Sequence, residues 1–282
     1  MKRLLSFVLL CAVLLTGCGS DPEPSEPAAP APETITQDPA AVPAEDPDIP
    51  TGTPGGEPDS TADVPEKEPE APPEPTHSVL YIPGIEVEDA ITWFNEVCLD
   101  AEYSDSGNPS LLQKWCDKIY YTVHGEPTGD DLAVLETFAQ QLNTMKGFPG
   151  ICEAENPGET NLNIYFCTRD EMISRMGDWT RGLDGAVTFW YNNNMIYDAT
   201  ICIRTDLNQH LRNSVILEEL YNGLGPIQDT SLRPDSLIYA GFSEPQDLTE
   251  ADTLILRLLY HPWMQCGMDA DQCERVIRAI YS

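Results

Sequence analysis

Residues 208–229 read NQHLRNSVILEELYNGLGPIQD, and the spacing inside this stretch dictates a helix. Ile216, Leu220 and Leu224 stand four apart with Leu217 beside them, so they share one side of a 3.6-residue turn. Gly225 followed by Pro226 is a stop signal. Glycine accepts the left-handed conformation past a helix end, and proline cannot continue the turn. Three polar residues remain near the end: Glu218, Glu219 and Asn222. Glu218 and Asn222 are spaced i,i+4 and project from the same side.

That spacing is the one by which zinc hydrolases bring two histidines of H-E-x-x-H to one metal, with the glutamate as general base. Aligned on Gly225, H-E-x-x-H-x-x-G falls on residues 218–225. The base position holds Glu219, while the ligand positions hold Glu218 and Asn222 instead of histidine. The stretch therefore resembles the metal helix of a zincin whose metal site has been dismantled. Asp229 is the remaining donor within reach, seven residues after Asn222. Glu218, Asn222 and Asp229 would make a hard-oxygen set, better suited to calcium or magnesium than to zinc. The competing expectation is that Glu219 and Asp229 bond backbone amides around the helix end. No cofactor is expected, a divalent cation being the alternative.

Upstream, the helix is preceded by a strand–helix–strand alternation. Residues 118–124 (KIYYTVH) alternate and are rich in β-formers, giving the first core strand. Thr128 opens a capping box for a long helix whose buried stripe is Leu132, Leu135, Ala139, Leu142 and Met145. Strands are expected at 150–153 and 161–168, joined by a turn at Asn156-Pro157-Gly158. Thr168-x-x-Glu171 caps a short helix, and a hairpin is expected from 185–191 and 195–204 across Asn192-Asn193-Asn194. In front of the first strand, helices are expected over 86–103, with Ile91, Phe94, Val97 and Cys98 inside, and from Asn108-Pro109 to Trp115. Downstream, Thr249-x-x-Asp252 and Asp269 cap two more helices. The fold class is α+β. This order is similar to the zincin N-terminal subdomain, a twisted mixed sheet backed by two long helices, here with a C-terminal helical subdomain.

Further motifs resemble a family of bacterial lipoproteins, the domain of unknown function 2927. Its pattern E-E-x-x-Q-x-L-G-L-x-N-D is matched by Glu218, Glu219, Leu224, Gly225 and Asp229, with Asn222, Pro226 and Gln228 as departures. Its later L-T-x-x-D, L-R-x-L-Y-x-P and G-M segments stand as Leu248-Thr249-Glu250-Ala251-Asp252, Leu256-Arg257-Leu258-Leu259-Tyr260-His261-Pro262 and Gly267-Met268. The segment 118–145, with Gly125, Pro127 and Asp130, is also similar, so the likeness covers about 118–268. It implies an architecture and no established reaction.

The chain ahead of the domain is a different polymer. Lys2 and Arg3 precede an apolar run, residues 4–15, too short to span a bilayer. It ends in Leu15-Thr16-Gly17-Cys18, which resembles a bacterial lipobox. That resemblance implies a signal peptide over 1–18, acylation of Cys18, and a domain held by lipid on the extracytoplasmic face of a cell membrane. Residues 19–77 carry 16 of the 25 prolines and 15 acidic residues against one lysine, Lys67, with no aromatic residue. Such a segment cannot bury enough apolar surface to offset its ordering entropy, and reads as an acidic tether. As a flexible coil its reach is about 40 Å.

Charge and cysteines bound the partners. Setting aside the tether's 15 acids and one lysine and the leader's two bases leaves 32 acids against 12 bases for residues 78–282, a net of −20. Nucleic acid is therefore excluded as a partner, because phosphate neutralisation needs clustered Lys and Arg. Beyond Cys11 and Cys18 the domain has seven cysteines. In an exported protein these are read as disulfides, paired by locality as Cys98–Cys116, Cys152–Cys167 and Cys266–Cys273, with Cys202 a buried thiol. The histidines are scattered at 77, 124, 210 and 261; His210 alone lies near the helix and could swing to Glu218 or Asp229. No G-x-S-x-G, P-loop or dinucleotide fingerprint is present. The expected function is a surface-tethered binding or structural module on an inactive zincin-like domain, facing a cell-wall or protein partner. The alternative is a divergent metallohydrolase with Glu219 as general base. A two-lobed uptake receptor is disfavoured because the domain shows no α/β repeat.

Overall fold

In the computed structural model the described residues are 80–99, 110–241 and 243–281. The signal peptide, Cys18 and the tether expected over 1–77 lie outside them. So do the last residues of the helix expected over 86–103 and the start of the one expected at Asn108.

Strands come first because they position everything else. They are β1 (Lys114–Trp115), β2 (Ile119–Gly125), β3 (Ile151–Glu153), β4 (Leu162–Cys167), β5 (Gly185–Asn192) and β6 (Met195–Arg204). They form one six-stranded sheet in the order β1-β6-β4-β2-β3, with β5 added on β6. All pairings are parallel except β5–β6. β1 pairs only with Met195 and Ile196, and β4 takes β6 from Ala199 onward, so the two follow one another along one side of β6. β5 runs along the other side as a hairpin. Its turn residues Asn193 and Asn194 have φ of 50° and 61°. That is the left-handed pair a tight hairpin demands and asparagine tolerates.

Helices α1 (Val87–Leu99), α2 (Gly129–Asn143), α4 (Gln209–Asn222), α5 (Glu250–Leu259) and α6 (Ala270–Ile280) bury apolar faces in the main core with β-strand residues such as Ile164, Phe166, Ile201 and Ile203. The short α3 (Arg169–Met176) packs Met172 on a smaller cluster with Cys167, Ala186 and Cys202. Side chains alternate across a pleated strand. Ile201 and Ile203 therefore face the main core while Cys202 faces α3. The fold is a mixed α/β sandwich with a largely parallel sheet. The expectation of two long backing helices is too coarse, since α1, α2 and α4 have 13, 15 and 14 residues.

Local signals resolve as capping. Thr128 with Asp131, Thr168 with Glu171 and Asp269 with Gln272 form complete capping boxes on α2, α3 and α6. Three expectations are corrected. The helix expected up to Trp115 is not formed there, because Lys114 and Trp115 pair with β6 as β1. Leu132 is 44% exposed rather than inside, since Asp131 occupies the buried slot one turn before Leu135.

The third correction concerns the cysteines. All seven in the domain are free thiols, and the pairing by locality is not formed. The fold places Cys116 against Cys266 and Cys167 against Cys202, on segments distant in sequence. Cys202 is fully buried, in keeping with a core thiol.

Candidate functional site

Helix α4 begins where Asn208 accepts the Leu211 amide on its side chain at 3.1 Å. The expected apolar face is buried: Ile216, Leu217, Leu220 and Leu224 all enter the core. The helix is nevertheless covered nearly all round, with Arg212, Ser214, Val215, Glu219, Tyr221 and Asn222 buried as well. Its N-terminal end is fixed by a buried ion pair. Arg212 Nε donates to Asp131 Oδ1 at 2.8 Å, and its other nitrogens donate to the carbonyls of Thr205 and Leu207 and to Gln209 Oε1. Gln209 Nε2 also donates to Asp131 Oδ1, at 2.6 Å. Burial alone would raise the Asp131 carboxyl. Hydrogen bonds from Arg212, the Thr128 amide and Gln209 outweigh it and hold the group below the ordinary aspartate range.

The C-terminal end carries the residues singled out in the sequence. Glu219 is 1% exposed and lies against β5. A side chain at Gly185 would meet Val215 Cγ1 at 2.5 Å and Glu219 Oε1 at 2.9 Å, so only glycine lets the helix approach the strand this closely. The base-position carboxylate therefore faces the sheet and not an open cleft. Asn222 is also 1% exposed, and its Oδ1 has no hydrogen-bond partner. Glu218 and Asp229 are half-buried.

The space beyond the helix end is filled. Trp115 Nε1 donates to the Gly223 carbonyl at 2.8 Å, and Tyr260 Oη donates to the Leu224 carbonyl at 2.8 Å. Gly225, with φ of +126°, brings its Cα against the Gln113 carbonyl, where a side chain would stand 2.7 Å from that oxygen. The Ile227 amide then donates to the Val97 carbonyl of α1 at 2.7 Å. β1, α1 and Tyr260 at the end of α5 together close over the end of α4.

His210 does not turn to Glu218 or Asp229: its Nε2 stands 3.6 Å from Glu244 Oε2 on the surface. His124 bonds Asn163 at 2.9 Å and stacks on Tyr165. His261 Nδ1 accepts the Trp263 amide. Among the described residues no group of three or more His, Cys, Asp or Glu is placed to hold a metal ion. With an acid and an amide at the ligand positions of α4, this donor set does not fit catalytic zinc.

Sequence reasoning missed the role of Asp252. It accepts from Ser236 Oγ at 2.6 Å, from the Leu237 amide at 2.9 Å and from Thr249 Oγ1 at 2.6 Å, pinning the 230–240 segment to α5. Burial raises its carboxyl above the ordinary range, against these three hydrogen bonds. The L-T-x-x-D segment thus stitches the fold together, although its capping function was legible.

The family described as "Protein of unknown function (DUF2927)" matches residues 88–279. The chain belongs to that family. The match takes in α1 and α6, beyond the 118–268 span carried by motifs alone. No curated protein matches the chain. In this DUF2927 domain the motif positions Glu219, Gly225 and Asp252 are buried in the packing around α4 and α5. Among the described residues no helix is long and apolar enough to cross a membrane.

Proposed function

We propose that this DUF2927 domain is a zincin-like scaffold without metal chemistry, serving as a binding or structural module held at a cell surface through lipid on Cys18. The observation that carries this reading is the burial of Glu219 and Asn222, each 1% exposed, beneath β5 and the aromatic closure of Trp115 and Tyr260. A general base must reach a substrate proton. Glu219 instead packs on Gly185. The order of strands and helices leading to α4, with one antiparallel strand beside it, supports the zincin likeness.

Recognition through an open surface is favoured over small-molecule binding in the groove beside α4. The groove between α2, α4 and residues 246–248, floored by Val134, Phe138, Leu217 and Leu248, has a volume of about 160 Å³. Pockets for drug-sized ligands run to about 300–1,000 Å³. The partner is a cell-wall component or an extracellular protein, and the acidic surface excludes nucleic acid.

The test uses the full chain expressed in a bacterium and extracted from membranes. Labelling with an alkyne fatty acid is expected on the native chain and absent from Cys18→Ser, which is released from the membrane. Elemental analysis is expected to find zinc far below one equivalent. One tightly held zinc, with peptide hydrolysis lost in Glu219→Gln, would reverse the reading. That second reading, a divergent metallohydrolase using Glu218, Asn222 and Asp229 as oxygen donors to a divalent cation, has one observation in its favour: the partnerless buried Oδ1 of Asn222.

A further inference from the structure

We propose that Cys116 and Cys266 form an oxidisable pair that closes into a disulfide by exchange with an external disulfide, fastening β1 to the turn between α5 and α6. The two Sγ atoms are 3.0 Å apart, although 150 residues separate them in sequence. Cys116 directly follows β1 and is exposed, whereas Cys266 is half-buried. The backbones on either side are already held in place. The Leu112 amide donates to the Met268 carbonyl at 2.9 Å, and the Gly267 amide donates to the Leu112 carbonyl at 2.8 Å. Lys114 Nζ donates to the carbonyls of Leu259 and Met264, so the same turn is clamped from its other side. Bond formation asks the sulfurs to close from 3.0 Å to about 2.05 Å with the frame already set.

The other thiols differ in access. Cys98, Cys167, Cys202 and Cys273 are buried, and Cys152 is half-buried beside Lys118. Cys167 and Cys202 touch each other, but behind α3, where an external disulfide cannot reach. Among the described cysteines only Cys116 is exposed, so it makes the first attack. Its thiolate attacks one sulfur of R–S–S–R, forming Cys116–S–S–R and expelling RS⁻. Cys266, a thiol pushed up to about 12 chiefly by its burial, then loses its proton. Its sulfur attacks Cys116 Sγ and expels the second RS⁻. The two cysteines lose two electrons, the external disulfide gains them, and the two thiol protons leave as two RSH.

The test is a non-reducing peptide map of the full chain, first reduced, then freed of reductant and incubated with oxidised glutathione. The expected result is loss of two hydrogens from the intact mass, with no glutathione retained. A protease cutting before Asp269 separates Cys266 from Cys273, and the linked peptides should then contain Cys116 and Cys266. The melting temperature should fall when reductant is added to the oxidised chain, and should not respond to reductant in Cys116→Ser. A stable glutathione adduct on Cys116, full alkylation of both thiols after oxidation, or a link from either to Cys98 or Cys273 would overturn the proposal. If Cys116→Ser fails to fold, the map of the native chain decides alone.

Discussion

The N-terminal end of α4 is fastened to α2 by a buried ion pair, Arg212 on Asp131 at 2.8 Å. Its C-terminal end is fastened by neutral donors, Trp115 and Tyr260 on the carbonyls of Gly223 and Leu224. A buried charge stripped of its partner is left in a medium that cannot solvate it. A carbonyl stripped of a neutral donor loses a single hydrogen bond. The two ends are therefore sensitive to different insults, and the end that carries Glu219 and Asn222 is the one held by neutral donors.

The largest effect is expected at the charged end. Asp131→Ala leaves the Arg212 guanidinium buried and unpaired, and should lower stability by about 3–5 kcal/mol in urea unfolding. Asp131→Leu combined with Arg212→Met should recover much of that loss; a double variant as unstable as the single one would show that charge pairing is not what holds this end. The pair also sets an acid limb. The folded carboxyl of Asp131 is lowered, so its contribution is complete above the ordinary aspartate value near ~3.9 and is lost as pH falls through the lower folded value. Asp252 has the opposite sign. Its folded carboxyl is raised, so its contribution is complete below the ordinary range and declines as pH rises through the raised value. Urea midpoints of Asp131→Asn measured against pH should lose part of the native chain's acid slope.

Next in size is Gly185→Ala, which forces a methyl between β5 and the side chains of Val215 and Glu219. Overpacking of this kind costs about 1–3 kcal/mol. An unchanged midpoint would mean that Glu219 has freedom to move away from the sheet. Tyr260→Phe removes the donor to the Leu224 carbonyl and should cost about 1–2 kcal/mol by the same measurement. Smallest is Asn222→Leu, where relief of the partnerless Oδ1 offsets the added bulk and the net change should stay within about 1 kcal/mol. A large loss there would assign the amide a task that the packing does not reveal.

What could be read from the chain alone follows the range of each interaction. Thr168 and Glu171 announce their helix because the box closes within four residues, and Asn193-Asn194 announces the hairpin because the turn is set by two φ angles. β1 was missed because two residues carry no periodicity, and its status depends on Met195 and Ile196 far along the chain. The cysteine partners were missed for the same reason, since proximity in sequence says nothing about segments brought together by a sheet. At the site, the identities of Glu218, Glu219 and Asn222 were legible. The burial of Glu219 and Asn222 was not, because it depends on distant residues, Gly185 against Glu219 and Trp115 and Tyr260 on the carbonyls that follow Asn222.

The shared side of β6 has a further consequence. β1 shields the first two residues of β6, and β1 is itself held by Lys114 reaching the carbonyls of Leu259 and Met264. A chain cut short before α5 ends would release that clasp and bare the start of β6 beside the exposed side chains of Met195 and Tyr197. An unshielded strand end of this kind invites a second molecule to add on, so a chain truncated in this way is expected to self-associate.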